Sequence, residues 1–375
     1  MGRGGLTEGA SARLHVNPRF STGAYGPRES AVLSAADFAV ARDAVTAWPE
    51  YACTPLVDRP DLARALGIAS LRIKYEGARF AVGSFKALGP AYAALRLIER
   101  VGKPVTLVSA TSGNHGRAVA WMAQRMGAAC RIYMSEGVST GRARAITGFG
   151  ATVVRVKGNF DDALARCYAD AEREGYLVVS DLPQPAYPEV PRHTVHGYAV
   201  LGEELAEQAP DATHVFVGAG SGTLAGAIAA RTWQRLGARR PRLVPVEPLA
   251  ADALYQSAVA GMRMRTQGSM ESLMDGLVVG IASDLAWALL DRGAFAFLAI
   301  PDTPAIAAMR SAHAGPRALM IGETGIAGLA GATVACEHTD MRRALGIDTH
   351  SRIVAVACEG ATDPQLFQRL VGGRA

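Results

Sequence analysis

Three short stretches of this chain place unusual residue types where a strand gives way to a helix, the position at which ligands of open α/β sheets bind. The first is Gly83-Ser84-Phe85-Lys86. A lysine followed by the helical pattern Ala87–Glu99 stands near a helix start, where the positive end of the helix dipole opposes its charge and favours the neutral amine. A neutral amine can attack an aldehyde. A solvated surface lysine fits the same four residues.

The second stretch is Ser109-Ala110-Thr111-Ser112-Gly113-Asn114-His115-Gly116. Its small residues let backbone N–H groups approach an anion at a helix N-terminus, which suits a carboxylate or a phosphate, and Asn114 adds a neutral side-chain donor. A capped glycine turn accounts for Ser112 and Gly113 but has less use for Asn-His together. The third is Gly218-Ala219-Gly220-Ser221-Gly222-Thr223, a glycine loop of the kind that cradles phosphate. It lacks the lysine of a P-loop, and its glycine spacing departs from the dinucleotide fingerprint.

The elements that must carry these stretches follow from periodicity. Apolar, β-rich runs at Val105–Ala110, Cys130–Met134, Thr152–Val156 and Leu177–Ser180 alternate with helical stretches at Arg117–Met126, Arg142–Gly148 and Asp161–Gly175. That alternation predicts βαβ units and a parallel sheet with helices on its faces. A second series, His214–Val217, Arg242–Val246, Phe295–Ile300 and Arg352–Ala357, predicts a second α/β layer. The prolines at 183, 185, 188 and 191 predict an irregular link over Pro183–Pro191. Residues 1–50 read as a Gly/Ser-punctuated arm and a helix of no assignable function.

Composition narrows the classes. The chain has 375 residues, 49% of them hydrophobic and 19% charged, enough for two α/β domains around sizeable cores. The net charge of +5 is spread along the chain without a Lys/Arg run, so nucleic acid is not an expected partner. No apolar stretch approaches the roughly 20 residues of a membrane span, so no membrane partner is expected. Five scattered cysteines without metal-ligand spacing fit a reducing cytoplasm and predict no metal.

Together the three stretches make the chain resemble the fold type II pyridoxal 5′-phosphate (PLP) enzymes, the group related to tryptophan synthase β subunits and to threonine and serine dehydratases. Within that group it is most similar to the diaminopropionate ammonia-lyase family. The resemblance is carried by Arg79-Phe80, Ser84-Phe85-Lys86-Ala87-Leu88-Gly89, Gly113-Asn114-His115-Gly116-Arg117 with Val119-Ala120-Trp121, and Ile132-Tyr133-Met134. It continues through Tyr187-Pro188-Glu189-Val190-Pro191, His196-Gly197-Tyr198, Gly322-Glu323-Thr324-Gly325-Ile326-Ala327-Gly328 and Glu359-Gly360-Ala361-Thr362-Asp363, all collinear.

The resemblance implies an α/β, two-domain fold with parallel-rich sheets flanked by helices. A large PLP-binding domain would comprise 1–98 plus 200–375, and a small α/β domain 99–199. It implies that Lys86 holds the cofactor covalently and moves the α-proton, that Asn114 bonds the cofactor's 3-hydroxyl, and that Gly218, Ala219, Gly220, Ser221, Gly222 and Thr223 bind its phosphate. Cys358 falls where dehydratases place a neutral partner of the pyridine nitrogen, although most free cysteines are simply small buried hydrophobes. Asp181 takes the place of a carboxylate acting on the substrate's α-proton or β-amine, or is a turn residue. Thr111, Ser112, Gly113, His115 and Glu323 are expected around a small amino-acid substrate.

The implied reaction is α,β-elimination of 2,3-diaminopropionate to pyruvate and ammonia by a homodimer. Diaminopropionate lyases have Asp where this chain has Ser112, the usual residue of serine and threonine dehydratases, which favours the L-isomer. A dehydratase-like or β-replacement enzyme acting on another β-substituted amino acid is the rival within the fold. A non-catalytic PLP or amino-acid binding protein is the rival from another class.

Overall fold

The computed structural model describes residues 11–102, 104–111, 113–180 and 187–373. Its strands, in chain order, are β1 (Arg13–Val16), β2 (Leu56–Asp58), β3 (Ser70–Tyr75), β4 (Thr106–Ala110), β5 (Ala129–Ser135), β6 (Thr152–Val156), β7 (Leu177–Val178), β8 (His214–Gly218), β9 (Arg242–Pro248), β10 (Ala296–Ile300) and β11 (Arg352–Ala357). They form two sheets in two compact units.

The first unit comprises residues 1–35, 53–78 and 201–375. Its sheet runs β1-β10-β9-β8-β11-β3-β2, with β10, β9, β8, β11 and β3 parallel and both edge strands antiparallel to their neighbours. β8, β9, β10 and β11 are buried along nearly their whole length and mostly apolar, because helices cover both faces of a parallel sheet. The helix Ala327–Glu337 lies directly on this sheet. A Cβ at Gly328 would come within 2.7 Å of the Phe216 carbonyl oxygen and 2.8 Å of that of Val356, so only glycine lets the helix settle over β8 and β11.

The N-terminal arm, unassigned from the sequence, is bound tightly to this unit. Asn17 donates through Nδ2 to the carbonyls of Asp291 and Ala294 at 2.9 and 2.8 Å, and Trp233 donates through Nε1 to the Gly23 carbonyl at 2.8 Å. The Arg240 guanidinium lies 4.0 Å from the Trp233 ring, and burial lowers its pKa to about 10. β3, which the sequence reading passed over, carries a fully buried Lys74 whose Nζ reaches Glu204 at 2.6 Å, the Thr54 carbonyl at 2.9 Å and Gln208 at 2.7 Å. Its burial depends on that complete set of partners.

The second unit comprises residues 36–52 and 79–200, with a fully parallel sheet β6-β5-β4-β7. It is larger than the 99–199 expected from the sequence, because the helix Gly89–Val101 packs on the helix Asn114–Arg125 and so draws the preceding residues into the same unit. A second correction concerns Pro183–Pro191. Residues 183–186 of that link lie outside the described residues, but Val190 and Pro191 open the helix Val190–Gln208. Proline is tolerated in a first helical turn, where its missing N–H would have no intrahelical partner.

Among the described residues no helix is long and apolar enough to cross a membrane. Gly328→Ala is expected to lower stability by about 1–3 kcal/mol, since two backbone carbonyls must move to admit the methyl. Urea denaturation reads this, and an unchanged midpoint would show that the helix shifts without cost.

Candidate active-site elements

In the second unit the lysine is set by local geometry. Arg79–Gly83 forms a tight turn closed by Gly83 N–H to the Arg79 carbonyl at 3.0 Å, with Phe80 at φ 46° and Gly83 at φ 67°. The left-handed conformation costs a residue such as Phe80 roughly 1–2 kcal/mol. Its ring is held against Trp121 and Trp48, with centroids 4.9 and 5.9 Å away. Ser84 then caps a 3₁₀ turn, Phe85–Ala87, its Oγ accepting from the Lys86 N–H at 3.2 Å.

The expected helix over Ala87–Glu99 is displaced to Gly89–Val101. Pro90 belongs in a first turn and bars a longer N-terminal extension, which leaves Lys86 on a separate short turn. Two neighbouring rings stand on one side of the amine: Lys86 Nζ lies 5.4 Å from the Phe85 ring centroid and 5.8 Å from that of Tyr198.

The same unit carries the second stretch. β4 ends at Ala110, Thr111 N–H bonds the Tyr133 carbonyl at 3.0 Å, and Gly113 N–H bonds Thr111 Oγ1 at 3.1 Å. The helix Asn114–Arg125 follows, so Asn114 and His115 lie in its first turn. His115 Nε2 is 3.1 Å from the Val179 carbonyl, which also accepts from Ser109 Oγ at 2.7 Å. Gly116 admits this packing, because a Cβ there would lie 2.5 Å from Thr111 Cγ2 and 2.9 Å from Ile132 Cγ2. The 3₁₀ turn bearing Lys86 packs on this helix, so Lys86 and the Asn114 turn belong to one body. Ser112 and Asp181 lie outside the described residues.

In the first unit the remaining elements gather at the carboxyl ends of β8 and β11. Gly218–Thr223 leads from β8 into the helix Thr223–Leu236, with Ala219 N–H bonded to the Val246 carbonyl at 2.8 Å and Ser221 Oγ 2.9 Å from Thr223 Oγ1. Gly222 occupies the N-cap at φ 82° and has no side chain with which to cap the first turn. Cys358 follows β11, buried, its N–H bonded to the Gly325 carbonyl at 3.3 Å and its Sγ 3.9 Å from the Val356 carbonyl.

Glu323 is also buried, and Thr324 Oγ1 accepts from Gly276 N–H at 3.0 Å. A Cβ at Gly325 would stand 2.7 Å from the Glu359 carbonyl. The Gly322–Gly325 turn is thereby pressed onto the segment that carries Cys358.

Residues 47–359 match the family model described as pyridoxal-phosphate dependent enzyme. The chain belongs to this family, and its fold is that of the fold type II PLP enzymes. It is 30% identical over 349 residues to diaminopropionate ammonia-lyase of Escherichia coli strain K12, covering 86% of this chain and 87% of that protein. It is 30% identical over 257 residues to phenylserine dehydratase of Ralstonia pickettii, covering 68% and 74%. A crystal structure of the Escherichia coli diaminopropionate ammonia lyase, in complex with an aminoacrylate-PLP azomethine reaction intermediate, is similar at a TM-score of 0.86 and 29% identity, covering 96% of this chain and 97% of that one.

The residues present suit the cofactor of the family. A primary amine sits on a rigid capped turn, an amide side chain opens a neighbouring helix, and a helix N-terminus is introduced by a loop whose φ 82° glycine bears no competing cap. Sequence reasoning gave no role to Phe85 or Tyr198. The available signal was Gly197 beside Tyr198, a small residue next to a ring that must lie against backbone.

The helix Val190–Gln208, which carries Tyr198, also bears His193, whose pKa burial and then the nearby His196 bring down to about 4. The folded pKa lies below the unfolded value of about 6.5. Stability is therefore fully present above about pH 6.5 and is lost as pH falls toward 4. The thermal midpoint is expected to drop over that window, with a shallower drop in His193→Gln. Equal slopes in the two proteins would contradict this.

Proposed function

We propose that this enzyme catalyses α,β-elimination on a small amino acid, with L-2,3-diaminopropionate as substrate, pyruvate and two ammonias as products, and water consumed. The observation that supports it most is a similarity to diaminopropionate ammonia-lyase running over 349 residues at 30% identity, beside a family match, 47–359, that takes in Lys86, Asn114, the Gly218–Thr223 loop and Cys358.

Bound PLP supplies an electron sink for negative charge at the substrate's α-carbon. The protein's part is attachment, orientation and proton transfer. Lys86 would hold the cofactor through its amine and, once the substrate's own amine has displaced it, would be free to take the proton from Cα. Asn114 donates to the 3-hydroxyl oxygen. Backbone N–H groups of Gly218, Ala219, Gly220, Ser221, Gly222 and Thr223 bind the phosphate. Cys358 meets the ring nitrogen with a neutral thiol, which favours elimination over transamination.

By the same resemblance Thr111, Ser112, Gly113 and His115 serve the substrate carboxylate, Glu323 is a further substrate-site residue, and Asp181 acts on the departing β-amine. Ser112 in place of a carboxylate removes the group that would serve the D-isomer. By the same resemblance the enzyme works as a cytoplasmic homodimer.

Ser112 also favours a second reading, dehydration of a β-hydroxy amino acid, since phenylserine dehydratase is among the relatives. Product counting separates the two. The lyase yields two ammonias per pyruvate from L-2,3-diaminopropionate, and this substrate should outpace both its D-isomer and L-serine. Faster turnover of L-serine, with one ammonia per pyruvate, would replace the lyase by the dehydratase. Asp181→Asn is expected to cut kcat by about 100-fold or more while cofactor absorbance is kept. Unchanged kcat in that variant would remove Asp181 from the reaction.

A further inference from the structure

Lys86 lies beside an aromatic ring brought to it by an unusually close backbone approach. Two glycines from segments far apart in sequence make that approach possible. A Cβ at Gly197 would lie 2.4 Å from the Leu88 carbonyl oxygen and 3.0 Å from Gly89 Cα, while a Cβ at Gly89 would lie 2.5 Å from Tyr198 Cε1. The helix Val190–Gln208 is thus packed against the link immediately after the lysine, with the Leu88–Gly89 backbone in the space of a side chain at Gly197 and the Tyr198 ring in that of a side chain at Gly89. The ring is 1% exposed.

The Phe85 and Tyr198 rings have centroids 4.9 Å apart, tilted by 40°. Both ring centroids lie within 6 Å of Lys86 Nζ, close enough for the rings to restrict the side chain. At the other end of the residue, the backbone N–H of Lys86 is tied to Ser84 Oγ at 3.2 Å.

We propose that Tyr198 is a positioning residue: its ring, set against that of Phe85, forms a bracket on one side of the Lys86 side chain and holds the amine where it can capture the aldehyde of a pyridoxal-type cofactor. This rests on the reading of Lys86 as the cofactor-bearing residue and goes beyond it by naming what aims that residue. The bracket acts through the ring face and not through the phenol hydroxyl. A long lysine side chain otherwise samples many rotamers, and holding it beside two rings removes that freedom before the cofactor arrives.

The test uses the full-length protein stripped of cofactor and then mixed with PLP, uptake being followed by the absorbance of the bound form. Tyr198→Phe should take up PLP at the wild-type rate. Tyr198→Leu should do so about tenfold more slowly, the loss expected when a lysine side chain held in one orientation regains its rotamer freedom. In the stripped protein, labelling of Lys86 by acetic anhydride, read by peptide mass mapping, should change in Tyr198→Leu and not in Tyr198→Phe.

Circular dichroism confirms folding. Tyr198→Met, which keeps bulk without a ring, serves in place of the leucine variant if that protein melts early. Folded leucine or methionine variants that match the wild type in uptake and labelling would overturn the bracket alone. A wild type that takes up no PLP would overturn the assignment of Lys86 and the bracket with it.

Discussion

The carbonyl oxygen of Leu88 stands where a Cβ on Gly197 would be only 2.4 Å away, and that steric limit governs how the lysine turn is held. Any side chain at Gly197 or Gly89 would force apart the helix Val190–Gln208 and the backbone that follows Lys86. With both positions bare, the 3₁₀ turn Phe85–Ala87 is fixed from two sides: Ser84 caps it from within, and the Tyr198 ring packs on it from the neighbouring helix. The strained Phe80, wedged among Trp48 and Trp121, fixes the entry to the same turn. A reactive amine on a four-carbon stem needs such support, since its reach is useful only when its direction is set.

A comparable logic operates at the carboxyl ends of β8 and β11 in the first unit. Parallel strands deliver their loops to one edge, and ligands of such sheets bind there. Gly328 lets the helix Ala327–Glu337 lie on the carbonyls of both strands, and Gly325 lets the turn ahead of that helix press on Glu359. Glu323, Thr324, Cys358 and the loop Gly218–Thr223 consequently share the edge without any of them belonging to the same secondary-structure element. Glycines do this work in both units, and they do so by permitting contact rather than by making it.

Much of this architecture was legible from residue pattern. Buried parallel strands are apolar on both faces, so runs such as Thr106–Ala110, His214–Gly218 and Arg352–Ala357 announce themselves within a residue or two. β3 was not legible, because Arg72 and Lys74 interrupt its apolar pattern, and the partners that make a buried Lys74 tolerable lie far away in sequence at Thr54, Glu204 and Gln208. The arm was likewise opaque: Asn17 and Gly23 acquire meaning only against Asp291, Ala294 and Trp233.

At the site, the Asn114 turn and the glycine loop could be picked out by residue type at strand-to-helix junctions, and the lysine by its place ahead of a helical pattern. The start of the helix after Lys86 was misplaced because the pattern of apolar residues outweighed Pro90. The aromatic flank of the lysine was invisible, since a Phe and a Tyr more than 100 residues apart carry no mutual signal in a single sequence.

Every role assigned to the site depends on the identity of the amine that binds the cofactor. Reduction of the PLP-loaded protein with borohydride, followed by proteolysis and mass mapping, tests it most directly. A pyridoxyl adduct on the peptide containing Lys86, and on no other lysine in stoichiometric amount, is the predicted result. A stoichiometric adduct elsewhere, or a loaded protein that yields none, would contradict it.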